Sequence, residues 1–270
     1  MIARIRKELV IFLSSVRYNT RIIVPSWVEH SEEDLTSSTR YFPLIGWIVA
    51  GISGGVLWAS SLSLPWQLSV ALSMSASVLA TGAFHEDGFT DVCDGFGGGW
   101  TKERILEIMK DSRIGAFGTI GILLVLLIKF TSYTALENLN IEIILIAILS
   151  SHSSSRFWAN VMAKSIPYAR EDALSKAKPI VKDMKISDVL LSSVWGFLPW
   201  FAFFLLDSLP SDLLLGFLLL PFILQVFGLL YLRGFYKRWL GGYTGDCLGA
   251  TQQVTEILYL IGILAAWKSF

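Results

Sequence analysis

Apolar residues in this chain gather into long runs separated by short polar segments. Runs long enough to cross roughly 30 Å of hydrocarbon lie at 41–63, 66–84, 116–135, 141–163, 188–207, 211–232 and 250–267. The pattern predicts seven transmembrane helices, of which the second, fourth and seventh carry the most Ser, Thr or Gln. Ahead of them, basic residues precede a short apolar run from Leu9 to Phe12. That run is too short for a signal peptide, Arg17 follows it and no small-residue cleavage site appears, so an interfacial helix is expected. Between the second and third runs, Gly97, Gly98 and Gly99 interrupt any preceding helix. Thr101 can then cap a short amphipathic helix, Lys102 to Lys110, with Ile105, Leu106, Ile108 and Met109 on its apolar side. The fold expected is an all-α polytopic membrane bundle of about seven spans with an N-terminal interfacial helix and short cytoplasmic helices. It forms one domain, 1–270, in which residues 1–40 are the cytoplasmic or interfacial segment.

Composition agrees: 53% of the 270 residues are hydrophobic and only 16% charged, with a mean hydropathy of +0.58, which excludes an ordinary soluble domain. The formal net charge is zero, but its distribution orients the chain. Of the 22 Lys and Arg residues, all but Lys129, Arg156 and Lys268 fall in the N-terminal segment or in the loops after the second, fourth and sixth runs. The alternate connections hold none. The positive-inside rule therefore puts the N-terminus and these loops in the cytoplasm and the C-terminus outside. Cys93 and Cys247 both fall on the cytoplasmic side, without Cys-x-x-Cys spacing, and read as small packing residues rather than ligands.

Candidate chemistry concentrates after the second run. Asp87, Asp91 and Asp94 recur at intervals of four and three, so on a helix all three carboxylates share one face. With Glu86 they make four acids in nine residues, a cluster that repels itself unless a cation sits among them. Without His or Cys partners of metal-ligand spacing, the donor set suits a hard cation, Mg2+, which bridges carboxylates to phosphate. A second acidic motif, Gly241-Gly242-Tyr243-Thr244-Gly245-Asp246, lies far downstream, and Glu256 follows Asp246 by ten residues, close to three helical turns. The two are expected to share a face. Arg113, Arg156 and Arg170 are candidates to clamp phosphate, with Asp111 beside Arg113. Arg156 lies inside the serine-rich fourth run, where a charge must meet an anion or a structural acid. Lys129 is expected to snorkel to the external interface. His85 could act as a base, orient an aspartate, or serve only as a hydrogen-bond partner. The chemistry implied is phosphoryl transfer, with Asp87, Asp91, Asp94 and Asp246 on metal.

His85-x-Asp87-Gly88-x-x-Asp91-x-x-Asp94-Gly95, Met109-Lys110-Asp111-Ser112-Arg113-x-Gly115, Tyr168-Ala169-Arg170-Glu171 and Gly241-Gly242-x-Thr244-Gly245-Asp246-x-Leu248-Gly249-Ala250 resemble the cobalamin synthase family, adenosylcobinamide-GDP ribazoletransferase. Tyr41-Phe42-Pro43-Leu44-Ile45-Gly46 fits its first span, and the resemblance covers nearly the whole chain in order. It implies a Mg2+-dependent enzyme of the prokaryotic cytoplasmic membrane. Such an enzyme joins adenosylcobinamide-GDP to α-ribazole or its 5′-phosphate, with release of GMP. The implied roles are metal on Asp87, Asp91, Asp94 and Asp246, and Asp94 or Asp91 as proton acceptor with His85 nearby. Asp111, Arg113, Arg156, Arg170, Gly245 and Glu256 would serve substrate or phosphate. The partners are these small molecules and the lipid bilayer, not nucleic acid, and homo-oligomerisation stays open. Aspartate spacing is also reminiscent of CDP-alcohol phosphotransferases, but no Ala-Arg follows the glycine and Asp246 is too distant for their pattern. An ion-coupled transporter would keep its acids near the bilayer midplane, whereas here they fall at the cytoplasmic boundary.

Overall fold

The computed structural model describes residues 2–28, 31–170, 184–206 and 209–269. Glu171 and the loop lysines Lys176, Lys178 and Lys182 lie outside the described residues. In chain order the helices are α1 (Ile2–Asn19), α2 (Glu32–Ser38), α3 (Phe42–Ser61), α4 (Trp66–Thr81), α5 (Phe84–Gly98) and α6 (Lys102–Ile108). They continue with α7 (Ala116–Thr134), α8 (Ile141–Ser165), α9 (Ile186–Phe197), α10 (Ser211–Leu240) and α11 (Gly245–Ser269). Among the described residues the only β pairing is an isolated parallel bridge between Tyr168 and Tyr243.

Each predicted apolar run is occupied by a helix. Among the described residues, five helical segments are long and apolar enough by themselves to cross a membrane, or six if α4 and α5 act as one bent unit. At 16 residues, α4 extends only about 24 Å at 1.5 Å per residue, short of the hydrocarbon thickness. Its partner α5 turns away by 88°, through two consecutive left-handed residues, Gly82 and Ala83, at φ 68° and 60°. Thus α5 runs across the bundle. The exception among the long helices is α8, whose serines and charges lower its hydropathy. It is buried along most of its length, including Ser150, Ser151, Ser153, Ser154 and Ser155 at 0% exposure. Enclosed by protein rather than lipid, α8 has no need of an apolar surface. Following α9, Pro199 introduces a 3-10 segment, Leu198–Leu205, that completes the fifth run. Thr101 accepts a hydrogen bond from the Arg104 N–H and caps α6 as expected. The glycine triplet ends α5 only at its last member, Gly99.

Polar ties hold the centre together where hydrophobic packing alone gives no specificity in lipid. The Gln225 amide of α10 accepts from Trp158 Nε1 at 2.9 Å and donates to Ser154 Oγ at 2.9 Å and to the Thr255 carbonyl at 3.1 Å. This one side chain links α8, α10 and α11. Two apolar clusters stack along the bundle. The first joins α3, α4, α7, α8, α10 and α11 toward the 62–65 and 135–140 connections. The second surrounds Tyr236, Tyr243 and Cys247 at the opposite end, where the acidic motifs lie.

Candidate active site

Two close backbone approaches build the site. At Gly88 a Cβ atom would lie 3.1 Å from the Asp246 Cα and carbonyl oxygen, and at Gly249 one would lie 3.1 Å from the His85 carbonyl oxygen. Glycines therefore let α5 cross directly against the first turn of α11, which sets Asp87 and Asp91 beside Asp246 despite their separation in sequence. The second approach positions Arg170. Ala169 N–H donates to the Tyr243 carbonyl at 2.8 Å and Tyr243 N–H to the Pro167 carbonyl at 2.9 Å. A side chain at Gly242 would collide with the Pro167 carbonyl oxygen. That pairing delivers the Arg170 guanidinium to Asp246, Nη2 to Oδ2 2.9 Å. Thr244 caps the start of α11 with its Oγ1, accepting from Cys247 N–H at 3.3 Å, and donates to Asp246 Oδ2 at 3.2 Å.

Asp87, Gly88, Arg170, Gly245 and Asp246 line one part of a cavity of about 270 Å3, and Tyr18, Phe42 and Phe84 line another. Asp91 lies beside this cavity, half-buried. Burial first, then the charges of Asp246, Asp87 and Asp94, push its carboxyl up to about 7, with Arg170 opposing. An acid raised this far by burial among like charges is a place where added positive charge is stabilising. Arg170 presents a second unmet need, for its buried Nε has no hydrogen-bond partner among the described residues.

The predicted site residues separate into those this cavity gathers and those it does not. Asp94 shares the α5 face but both its oxygens are engaged at the N-terminus of α7, accepting from Gly115 N–H at 2.7 Å and Gly118 N–H at 2.8 Å. It serves there as a helix cap, a position that favours a carboxylate through the helix dipole. His85 borders the cavity but is buried, stacked on Phe42 at 5.6 Å, and its Nε2 meets no partner among the described residues. Asp111 and Arg113 pair with each other at 2.6 Å on an exposed loop, and Arg113 holds the Asp111 carboxyl down at about 2. Neither borders the cavity.

Arg156 and Glu256 belong to the interior instead. Arg156 is 1% exposed, donates to the His152 carbonyl at 2.8 Å and lies over the Phe42 ring at 5.7 Å, and it does not line the cavity. Ten residues at 100° each leave Glu256 about 80° around the helix from Asp246 and about 15 Å further along it. The expected common face is therefore absent. Glu256 meets Lys129 at 2.8 Å and His152 at 3.6 Å and accepts from Gln252. Lys129 does not snorkel outward; it is 6% exposed, because a buried partner charge within reach outweighs the distance to the interface. Gln253 extends this network by donating to Gln252 at 2.9 Å and to Glu86 at 3.0 Å.

Sequence reasoning missed the N-terminal contribution to the cavity, made by Tyr18, Asn19, Ser38, Thr39 and Phe42. The signal was a stripe in α1, Ile11, Ser15 and Asn19, spaced four apart with Ser14 beside them, all buried. This marks α1 as packed on protein along one side and not merely floating on lipid. Its end is pinned by Arg21 N–H donating to the Ala80 carbonyl at 2.8 Å.

In chemical terms the cavity sets the Asp87 and Asp246 carboxylates beside one arginine, with the buried His85 at its border, the equipment for managing phosphate charge. Among the described residues no three His, Cys, Asp or Glu side chains are already arranged around a common point as metal ligands, since Asp246 is drawn to Arg170 and Asp94 to α7. The donor chemistry of Asp87, Asp91 and Asp246 nonetheless fits a hard divalent cation.

Comparison with known proteins returns one family model, described as cobalamin-5-phosphate synthase, matching residues 11–264. The chain is 44% identical over 268 residues, 98% of its length and 99% of the relative's, to an adenosylcobinamide-GDP ribazoletransferase of Leptospira interrogans serogroup Icterohaemorrhagiae serovar copenhageni (strain Fiocruz L1-130). Proteins of the same name from Shewanella frigidimarina (strain NCIMB 400) and Ralstonia pickettii (strain 12J) are 39% and 42% identical. Those matches cover 97% and 95% of both partners. No solved structure matches.

Proposed function

This chain belongs to the cobalamin-5-phosphate synthase family, and from that membership we propose that it joins adenosylcobinamide-GDP to α-ribazole or its 5′-phosphate with release of GMP. A ribose hydroxyl of the acceptor attacks the phosphorus nearer the cobinamide, the phosphoanhydride bond to GMP breaks, and the hydroxyl proton passes to a carboxylate. The observation that carries this reading is the meeting of α5 acids with Asp246 and Arg170 on one cavity.

Asp91 is the proton acceptor in this scheme: it stands beside Asp87 and Asp246, and a carboxyl near 7 is matched to accepting a proton at neutral pH. Asp94 is left to α7. Arg170 exchanges part of its contact with Asp246 for the diphosphate, and its Nε, without a partner among the described residues, supplies a further donor. Asp87 and Asp246, with Asp91 adjacent, are the residues that would hold Mg2+, which supplies neutralisation of diphosphate charge when bound. The enzyme works in the cytoplasmic membrane with the N-terminus and cavity facing the cytoplasm. This orientation is supported by the basic residues near the α1, α4–α7, α8–α9 and α10–α11 segments, the same end of the bundle as the cavity.

The test is GMP release from adenosylcobinamide-GDP by detergent-purified protein. Release is expected to require both ribazole and Mg2+, and Asp87→Asn or Asp91→Asn is expected to lower turnover by at least about 100-fold while the protein still inserts into membranes. Ribazole-independent release, or near-wild-type turnover in both variants, contradicts the proposal.

A further inference from the structure

We propose that the aromatic part of the cavity is the subsite for the benzimidazole base of ribazole, so that the acceptor binds inside the protein while the corrinoid diphosphate reaches the acids from the cavity mouth. This rests on the transferase reading given above and assigns one of its two substrates to a place. Size makes the first cut. A cavity of about 270 Å3 is at the small end for organic ligands, suited to one nucleoside and far too small for a corrin macrocycle with its side chains.

Hydrogen-bonding capacity makes the second cut, between the benzimidazole of ribazole and the guanine of the leaving nucleotide. Besides the acids and Arg170, the walls include the rings of Tyr18, Phe42 and Phe84, together with Asn19, Ser38, Thr39 and Asn160. Each of these four polar side chains turns a donor onto a backbone carbonyl. Asn19 Nδ2 donates to Ser15 at 2.9 Å, Ser38 Oγ to Leu35 at 2.7 Å, Thr39 Oγ1 to Thr36 at 2.8 Å and Asn160 Nδ2 to Thr39 at 2.8 Å. Ser38 and Thr39 thereby spend their only donor, and Asn19 and Asn160 one of the two N–H groups of each amide, so guanine, with donors and acceptors all along its edge, is matched less fully by these walls. A benzimidazole joined to ribose through one nitrogen carries no N–H and a single ring acceptor, and otherwise presents apolar faces and methyl groups, which such walls match.

Geometry then connects base to chemistry. Tyr18 and Phe84 meet edge to face at 5.3 Å, one from the end of α1 and the other from the start of α5. Phe84 is three residues before Asp87 and adjoins His85. A base against these rings leaves its ribose toward Asp87 and Asp91, where the attacking hydroxyl is needed.

Tyr18 and Phe84 are 41% and 43% exposed, so their truncation is tolerable to the fold. The experiment measures α-ribazole and GMP binding by calorimetry to the full-length detergent-purified protein, alongside KM for each substrate. In Tyr18→Ala and Phe84→Ala, the Kd and KM for ribazole should rise about tenfold or more, with GMP affinity and the KM for adenosylcobinamide-GDP held within about twofold, as expected for loss of one stacking ring. Tyr18→Phe should retain wild-type ribazole affinity, separating ring contact from a hydroxyl role. Weakened GMP with unchanged ribazole assigns the subsite to the nucleotide and overturns the proposal, as does unchanged affinity for both. Wild-type protein that binds no ribazole and releases no GMP instead overturns the transferase reading itself.

Discussion

Asp87, Asp91 and Asp94 share one helical face yet meet three different environments. Asp87 is exposed into the cavity, Asp91 is half-buried among like charges, and Asp94 is buried as the cap of α7. Spacing revealed the common face; it could not reveal that a neighbouring helix begins at Asp94. The Asp91 carboxyl at about 7 has a measurable consequence. Below that pH it carries a proton that opposes a nearby cation, so cation binding expels the proton. Mg2+ affinity should therefore rise by up to about tenfold per pH unit between pH 6 and 7 and flatten above, as one-proton linkage requires. Calorimetry in buffers of differing ionisation enthalpy would count the released proton. Asp91→Asn should remove the dependence, and a flat wild-type profile would refute the assignment.

At the level of elements, the decisive contact is the crossing of α5 on the first turn of α11. The sequence carried the glycines that permit it, but periodicity shows only that Gly88 leaves a gap on α5, not which helix fills that gap. The bend before α5 was equally hidden, because an apolar run ending in Gly82-Ala83 reads as one span until the left-handed pair turns the chain by 88°. Likewise Arg170 reaches Asp246 through two backbone hydrogen bonds between loops, a pairing with no side-chain pattern. Gly88→Val tests the crossing. Even the first carbon of the new side chain stands 3.1 Å from the Asp246 backbone, and the branch beyond it must force the helices apart. Destabilisation of about 1–3 kcal/mol is expected, read as a lower unfolding midpoint in detergent, together with loss of turnover. Retention of both would show that the contact is not needed.

For the whole molecule, hydrophobic runs and basic loops gave the all-helical membrane class and the order of its segments. Runs alone could not distinguish a helix facing lipid from one enclosed by others, as α8 is. Nor could they pair Lys129 on α7 with Glu256 on α11, since a lone charge in an apolar run is legible only once its partner is in view. The N-terminal segment, read as an interfacial appendage, also forms part of the cavity wall. What the architecture achieves is convergence: acids from the second and last apolar segments face one space at one end of the bundle. Calorimetric titration of Mg2+ into wild-type, Asp87→Asn and Asp246→Asn protein at pH 8 tests that convergence most directly. A single class of site, weakened at least about tenfold by either substitution, is the expected result. Wild-type affinity in Asp246→Asn would mean that the two acidic stretches do not serve one cation, contradicting the central claim.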